Sequence, residues 1–485
     1  MPAKTLLPAL LLPLLLLLAC SSGPDFREPV TSDTPGYARQ SLPVTTASTT
    51  GQAGHAQTFA TAEHAPPQWW KQFHNDALDQ LVATALAASP TIASARATLA
   101  QAQQNYAATA GATSLPQVDA SLNATRQRVN VGAFGITQIP SPGPFTLANA
   151  TVSVSYDFDF FGAHRRTLEG LRAQVDHQRF ELDAARLTLA GAVVAAVIDR
   201  ASLRAQIDLS EQLAHAQSQQ LAIAQKRLEA GGLSRLDVQG QRTLLAQTRA
   251  AIPALRTQLA QTEHRLATLL GRAPASAADL PDIPLDSLTL ATTVPVTLPS
   301  TLARERPDIR AAQELLHQAS ANVGVATANL YPQFTLSGAL GSQRTRIADI
   351  IKGLNIWNVG LGITQPLFHG GELRARQRAA QAAQEAALAN YQQTVLEALQ
   401  QVADALAAIV NSAAELAQTA DAANAAQTSL SIASNNFAAG GISQFSMLDS
   451  QRRTLETALA RTQSQARRLS GTAMLLQSLG GSEVP

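Results

Sequence analysis

Ala148-Asn149-Ala150-Thr151-Val152-Ser153-Val154-Ser155-Tyr156-Asp157-Phe158-Asp159-Phe160 alternates apolar and polar residues without a break. Strict period-two patterning marks a strand with one apolar and one polar face. The pattern recurs as Trp357, Val359, Leu361 and Ile363 against Asn358, Gly360, Gly362 and Thr364, and as Phe334, Leu336 and Leu340 against Thr335, Ser337 and Gly341. A weaker case sets Val118, Ala120, Leu122 and Ala124 against Asp119, Ser121, Asn123 and Thr125. Amphipathic strands of about ten residues fit the wall of a transmembrane barrel with a wet lumen. They equally fit a soluble sandwich whose apolar face lines a core.

The segments around these strands decide between the two. Arg165 to Ala230 runs 66 residues without a proline, and Glu372 to Ala438 runs 67 with neither proline nor glycine. As helices each is about 100 Å long, beyond the width of an ordinary domain. In the second, Leu388, Tyr391, Val395, Leu399, Val402, Leu406 and Ile409 recur at spacings of three and four, the seam of a coiled coil. Each long helix can pair with two shorter ones stacked end to end: Asp76 to Ala110 with Ser234 to Leu270, and Pro307 to Leu330 with Ser443 to Leu479. Pro253 predicts a bend in one of them.

The chain repeats itself. Pro90 and Pro307 each open a helix ending in Leu115-Pro116-Gln117 or Tyr331-Pro332-Gln333, followed by two strands and a long helix. The long helices end in matching turns, Ala230-Gly231-Gly232-Leu233-Ser234 and Ala439-Gly440-Gly441-Ile442-Ser443. In each turn glycine suits a left-handed cap and serine an N-cap. The fold class is therefore mainly α with four strands, built as an internal two-fold repeat. Four strands cannot close a barrel, and open edges are forbidden in hydrocarbon. Three chains would supply twelve strands, which predicts a trimeric β-barrel continued by a long α-helical barrel.

At the N-terminus, Lys4 precedes an apolar run from Leu6 to Ala19, too short to span a bilayer and read as a signal-peptide core. Leu17-Leu18-Ala19-Cys20 resembles the lipobox of bacterial lipoproteins, which implies cleavage before Cys20 and its lipidation (palmitate included). Ser21 is not the aspartate that in many such proteins signals inner-membrane retention, so the resemblance implies the outer membrane. Pro24 to about Pro67 lacks periodicity and reads as an extended tether, with order beginning near Trp69. The expected organisation is residues 1–19 signal peptide, 20–68 lipidated tether, 69–295 first repeat, 296–480 second repeat and 481–485 tail.

Composition points away from an enzyme. Only 4% of residues are aromatic and 15% charged, as suits long helices packed through small side chains. A net charge of +1 argues against a nucleic-acid partner. The nine histidines show no metal-ligand spacing, and no nucleophile elbow or phosphate loop is present, so no cofactor is expected. Asp157 and Asp159, at the polar face of a strand end, read as lumen lining.

Five dispersed segments resemble the signatures of the TolC-like outer-membrane factors, the lipoprotein NodT/OprM type above all. They are Trp69-Trp70-Lys71-Gln72-Phe73, Tyr156 to Gly162, Arg304-Glu305-Arg306-Pro307-Asp308-Ile309-Arg310-Ala311-Ala312, Gln365 to Gly371, and Gly440-Gly441-Ile442-Ser443. The resemblance covers nearly everything from Trp69 to Gly480. It implies a homotrimer, lipid-anchored in the Gram-negative outer membrane and extending into the periplasm. It further implies assembly with a periplasmic adaptor (membrane fusion) protein and an inner-membrane pump, usually of the RND type. Such a duct exports drugs or other toxic small molecules; type I protein secretion or heavy-metal efflux is the alternative. The family's periplasmic constriction maps onto Phe445 and Asp449, four apart and so on one helix face. In a trimer they would form an apolar ring and a ring of mutually repelling carboxylates, sensitive to pH and cations. Asp237, at the first-half turn, is a weaker gate candidate that also suits a helix-dipole partner.

Overall fold

The computed structural model describes residues 22–29, 36–37, 42–61, 65–130 and 142–480, with 133, 135, 138 and 140. The signal segment, Cys20 and residues 481–485 lie outside the described residues. In chain order the elements are β1 (Thr58–Thr61), α1 (Asp76–Ala88), α2 (Pro90–Ser114), β2 (Gln117–Gln127) and β3 (Phe145–Phe158). Then come α3 (Ala163–Glu229), α4 (Arg235–Leu269), β4 (Thr293–Val296), α5 (Pro299–Glu305) and α6 (Pro307–Ala328). The chain ends with β5 (Gln333–Arg344), β6 (Ile356–Thr364), α7 (Glu372–Ala438) and α8 (Gln444–Ser478). The two halves mirror one another: α3 and α7 are both 67 residues long, and the returning α4 and α8 both 35.

Local chemistry sets most boundaries. The helix expected from Asp76 to Ala110 is broken at Ser89, which is extended because Pro90 follows it. Pro253 stays inside α4 without ending it. At the turns after α3 and α7, Gly231 and Gly440 take φ of +75° and +74°. Gly232 and Gly441 donate N–H to the carbonyls of Arg227 and Asn436 at 2.7 Å, closing Schellman-type caps.

Tertiary contacts divide the chain into two units that cut across the repeats, because helices this long outrun a single domain. One unit comprises Met1–Glu28, Leu99–Gln178 and Ala312–Tyr391. It holds the four-stranded sheet in the order β2-β3-β5-β6, antiparallel throughout. Residues 22–28 dock onto its helices: Ser22 donates N–H to Phe161 at 3.1 Å, and Phe26 stacks on His317 with centroids 4.3 Å apart. Buried Arg166 donates to Asp25 and Glu169, both at 2.7 Å. Gly23, at φ +88°, leaves no room for a side chain, since a Cβ there would lie 2.6 Å from Gly324 Cα.

The other unit comprises Pro29–Thr98, Arg179–Ala311 and Gln392–Pro485. Its core joins Val402, Leu406 and Ile409 of the α7 seam to Leu475 and Leu479, with Val294 and Val296 of β4. Each such side chain contributes roughly 1.5–3 kcal/mol by burial. The expected end-to-end stacking of short helices is visible here. Gly271, just past α4, abuts the Ala88 carbonyl at the end of α1, and Gly480, past α8, abuts Arg306 and Pro307 at the start of α6. Buried Arg306 ties the second junction, donating Nε to Asp308 at 2.9 and 3.1 Å and Nη1 to the Ser478 carbonyl at 3.0 Å.

Order does not begin at Trp69. Residues 42–61 are folded, with Thr46 N–H to Gln57 O at 3.0 Å, Thr49 N–H to Gly54 O at 2.8 Å, and β1 paired in parallel with β4. Arg468 of α8, almost wholly buried, fastens them. It donates to the carbonyls of Ala53 and His55 at 2.9 and 3.0 Å and to Thr46 Oγ1 at 3.0 Å. Burial without a carboxylate partner pulls the Arg468 pKa down to about 10, leaving it charged at neutral pH.

Candidate functional site

The sheet register carries the alternation through all four strands. Val118, Val154, Gly338 and Val359 lie in one cross-strand row, and Ala120, Val152, Leu340 and Trp357 in the next. The face they form is bare: Trp357 is 80% exposed, Leu122 74% and Val359 73%. A soluble sandwich would bury this face beneath a second layer, and the exposure removes that alternative. The opposite face is polar and internally bonded, with Ser121 and Thr151 hydroxyls 2.8 Å apart and Thr335 donating to Asp157 at 2.6 Å. The outer strands β2 and β6 each have one neighbour in the sheet. Their other edges are open, as a wall completed by further copies requires.

Asp157 sits on the polar face as expected, but Asp159 does not. It lies beyond the end of β3, where the chain turns through Gly162 at φ +82°, and accepts the backbone N–H groups of His164 and Arg165 at 3.0 and 2.8 Å. Asp159 caps the N-terminus of α3, where backbone donors without intrahelical partners favour a carboxylate.

At the glycine tips, Phe445 and Asp449 do come together. With Ala426, Ser429 and Arg453 they line a hollow between the end of α7 and the first turns of α8. Asp449 is not a bare carboxylate. Arg452 donates Nη2 and Nε to its Oδ1 at 3.0 and 3.2 Å, and Arg453 donates Nε to its Oδ2 at 3.1 Å. Each Asp449 thus brings two cations of its own helix, which weakens the repulsion expected within a carboxylate ring. Asp237 stands apart on the other hairpin as half of a capping box. It accepts from the Ser234 hydroxyl at 2.6 Å and the Ser234 N–H at 3.2 Å, and these bonds hold its pKa below the usual carboxylate value. Among the described residues no group of three His, Cys, Asp or Glu side chains could hold a metal, and no helix is long and apolar enough to cross a membrane.

Long paired helices, a four-strand amphipathic sheet and two glycine hairpins define an outer-membrane channel protomer of the TolC type. A sequence model described as outer membrane efflux protein matches residues 81–272 and 298–481. The chain is 32% identical over 432 residues to the pyoverdine export outer membrane protein OpmQ of Pseudomonas putida, covering 87% of this chain and 90% of that one. It is 28% identical over 452 residues to the probable efflux pump outer membrane protein TtgC of the same species, covering 92% of each. The solved outer-membrane channel OprN superposes with a TM-score of 0.81 at 28% identity, over 96% of this chain and 100% of that one. The chain belongs to the outer membrane efflux protein family. It is a channel subunit for efflux at the outer membrane, and not an enzyme.

Proposed function

We propose that three copies close their sheets into one twelve-strand barrel through the outer membrane, with the helices forming a periplasmic duct and Cys20 carrying the lipid anchor. The observation that carries this reading is the bare apolar face on a sheet with both edges open. In hydrocarbon each unpaired edge group costs several kcal/mol, so the edges must meet other chains. The duct receives small molecules from an inner-membrane pump, of the RND type, through a periplasmic adaptor that engages the glycine tips. Export of small toxic or secreted organic molecules is consistent with the pyoverdine export named for one relative. Phe445 and Asp449, with Arg452 and Arg453, form the constriction, and Asp237 serves as a helix cap on the other hairpin. Native mass spectrometry of the detergent-extracted mature protein tests the assembly. Three chains per particle, with a diacylglyceryl and acyl mass on the N-terminal peptide, are expected; a monomer that stays dispersed without detergent would overturn it.

A further inference from the structure

The last residues of β2 and β5 and the first of β3 and β6 stand at the end of the sheet opposite the helices, since α2 leads into β2, β3 leads into α3, α6 leads into β5 and β6 leads into α7. Charge there is one-sided. Residues 126–147 and 341–356 hold Arg126, Arg128, Arg344, Arg346 and Lys352 against Asp349 alone, a net 5 − 1 = +4, whereas the rest of the chain has 31 Lys and Arg against 34 Asp and Glu, a net −3. The register places the strand members of this set. Arg126, opposite Thr146, continues the face of Leu122, and Arg344, opposite Ala148, continues the face of Leu340. Both therefore stand on the apolar, outward side of the sheet and not on the polar one.

Bare apolar side chains alternate with these cations. Ile347, Ile351 and Leu354 are 59%, 88% and 69% exposed on either side of Lys352. Asp349 pairs with Lys352 at 2.7 Å, and its carboxyl is held below the usual range by that hydrogen bond, with Arg346 and Arg344 adding to the effect. That one acid leaves the cluster under-neutralised. Arg126, Arg128 and Arg346 make no ion pair among the described residues, and the Nε of Arg344 is buried without a partner. Exposed aliphatics interleaved with unpaired guanidinium groups suit a membrane interface, where the aliphatics enter the acyl chains and the cations stay at headgroup level. The guanidinium fork matches phosphate in particular.

We propose that this end of the sheet is a binding collar for the phosphorylated glycolipid of the outer leaflet, with Arg126, Arg128 and Arg346 as phosphate ligands and Ile347, Ile351 and Leu354 seated among its acyl chains. The proposal rests on the reading that the sheet spans the outer membrane with its helices on the periplasmic side. It is tested by native mass spectrometry of the delipidated mature protein, titrated with bis-phosphorylated lipid A, with its dephosphorylated form and with phosphatidylglycerol. Wild type and an Arg126→Gln, Arg128→Gln, Arg346→Gln variant are compared, and conductance is recorded from the same preparations. Retention of bis-phosphorylated lipid A at least tenfold above the other two lipids, lost tenfold in the variant while conductance persists, is expected. A conducting oligomer that retains all three lipids equally, or a variant that retains lipid A as wild type does, would overturn the collar alone. Absence of any conducting oligomer would overturn the membrane-spanning reading and the collar with it.

Discussion

Replacing Arg468 with methionine probes how the N-terminal segment is held. The substitution keeps an unbranched apolar stem but removes four hydrogen bonds, three of them to residues 42–61, leaving the carbonyls of Ala53 and His55 without their donor, whereas the Ile409 carbonyl of α7, which accepts the fourth at 3.4 Å, still accepts the Ser412 hydroxyl at 3.2 Å. At roughly 1–3 kcal/mol for each of the three groups of residues 42–61 that lose this donor, the gross loss is about 3–9 kcal/mol. Removing a buried cation that lacks a carboxylate partner returns part of this, so the net cost is about 2–4 kcal/mol. It falls on residues 42–61 and not on the whole chain, because these bonds fasten that segment to α8. Since each 1.4 kcal/mol is a factor of ten, hydrogen exchange at the amides of Thr46, Thr49 and Gly54 should accelerate roughly 30- to 700-fold, with the core of α7 around Val402 unchanged. Exchange at those amides within about threefold of wild type would refute the assignment of Arg468 as the fastener.

Further expectations follow from other sites. Arg306→Met removes the bonds from Arg306 to Ser478 O and Asp308 and should loosen the α8–α6 junction by about 2–4 kcal/mol, read as faster exchange in the last turn of α8 and the first of α6. Asp237 has a folded pKa below its unfolded value, so its capping contribution is complete above pH 3.8 and fades as pH falls through the lower, folded value. Exchange in the first turn of α4, relative to its intrinsic rate, should therefore quicken in that acid window, and Asp237→Asn, which has no carboxyl to titrate, should remove that pH dependence; a variant with the wild-type profile would contradict the capping role. Trp357→Arg on the apolar face should cost up to about 2–4 kcal/mol in membrane folding, while Asn358→Arg on the opposite face should leave folding intact. Folding yield into bilayers distinguishes them, and equal losses would contradict the assignment of faces.

The strands and long helices were legible because their signals are periodic and local: alternation from Ala148 to Phe160, the three-and-four spacing through Val402, Leu406 and Ile409, and the paired glycines at each tip. The fold of residues 42–61 was not. Its Thr, Ser and Gly residues carry no periodicity, and its fastener, Arg468, lies 413 to 422 positions away in sequence. Asp159 shares the parity of the strand before it, so the pattern assigned it to the lumen; only the turn at Gly162 turns it toward the helix N-terminus. At the tip, the four-residue spacing of Phe445 and Asp449 was readable. The arginines three and four positions after Asp449 obey the same helical geometry and were the missed signal. Pro253 predicts a bend, and it lies within α4, whose helical span runs from Arg235 to Leu269.

Single-channel conductance in a planar bilayer tests the channel most directly, comparing wild type with Asp449→Ala and with an Arg452→Ala, Arg453→Ala pair. A small, cation-sensitive conductance that rises when Asp449 is removed is expected, because the substitution strips the constriction of its carboxylates and releases Arg453, while Arg452 keeps its bond to Glu456 at 2.6 Å. A mature chain that inserts no pore, or a pore whose conductance is the same in all three proteins, would contradict a duct narrowed at Phe445 and Asp449.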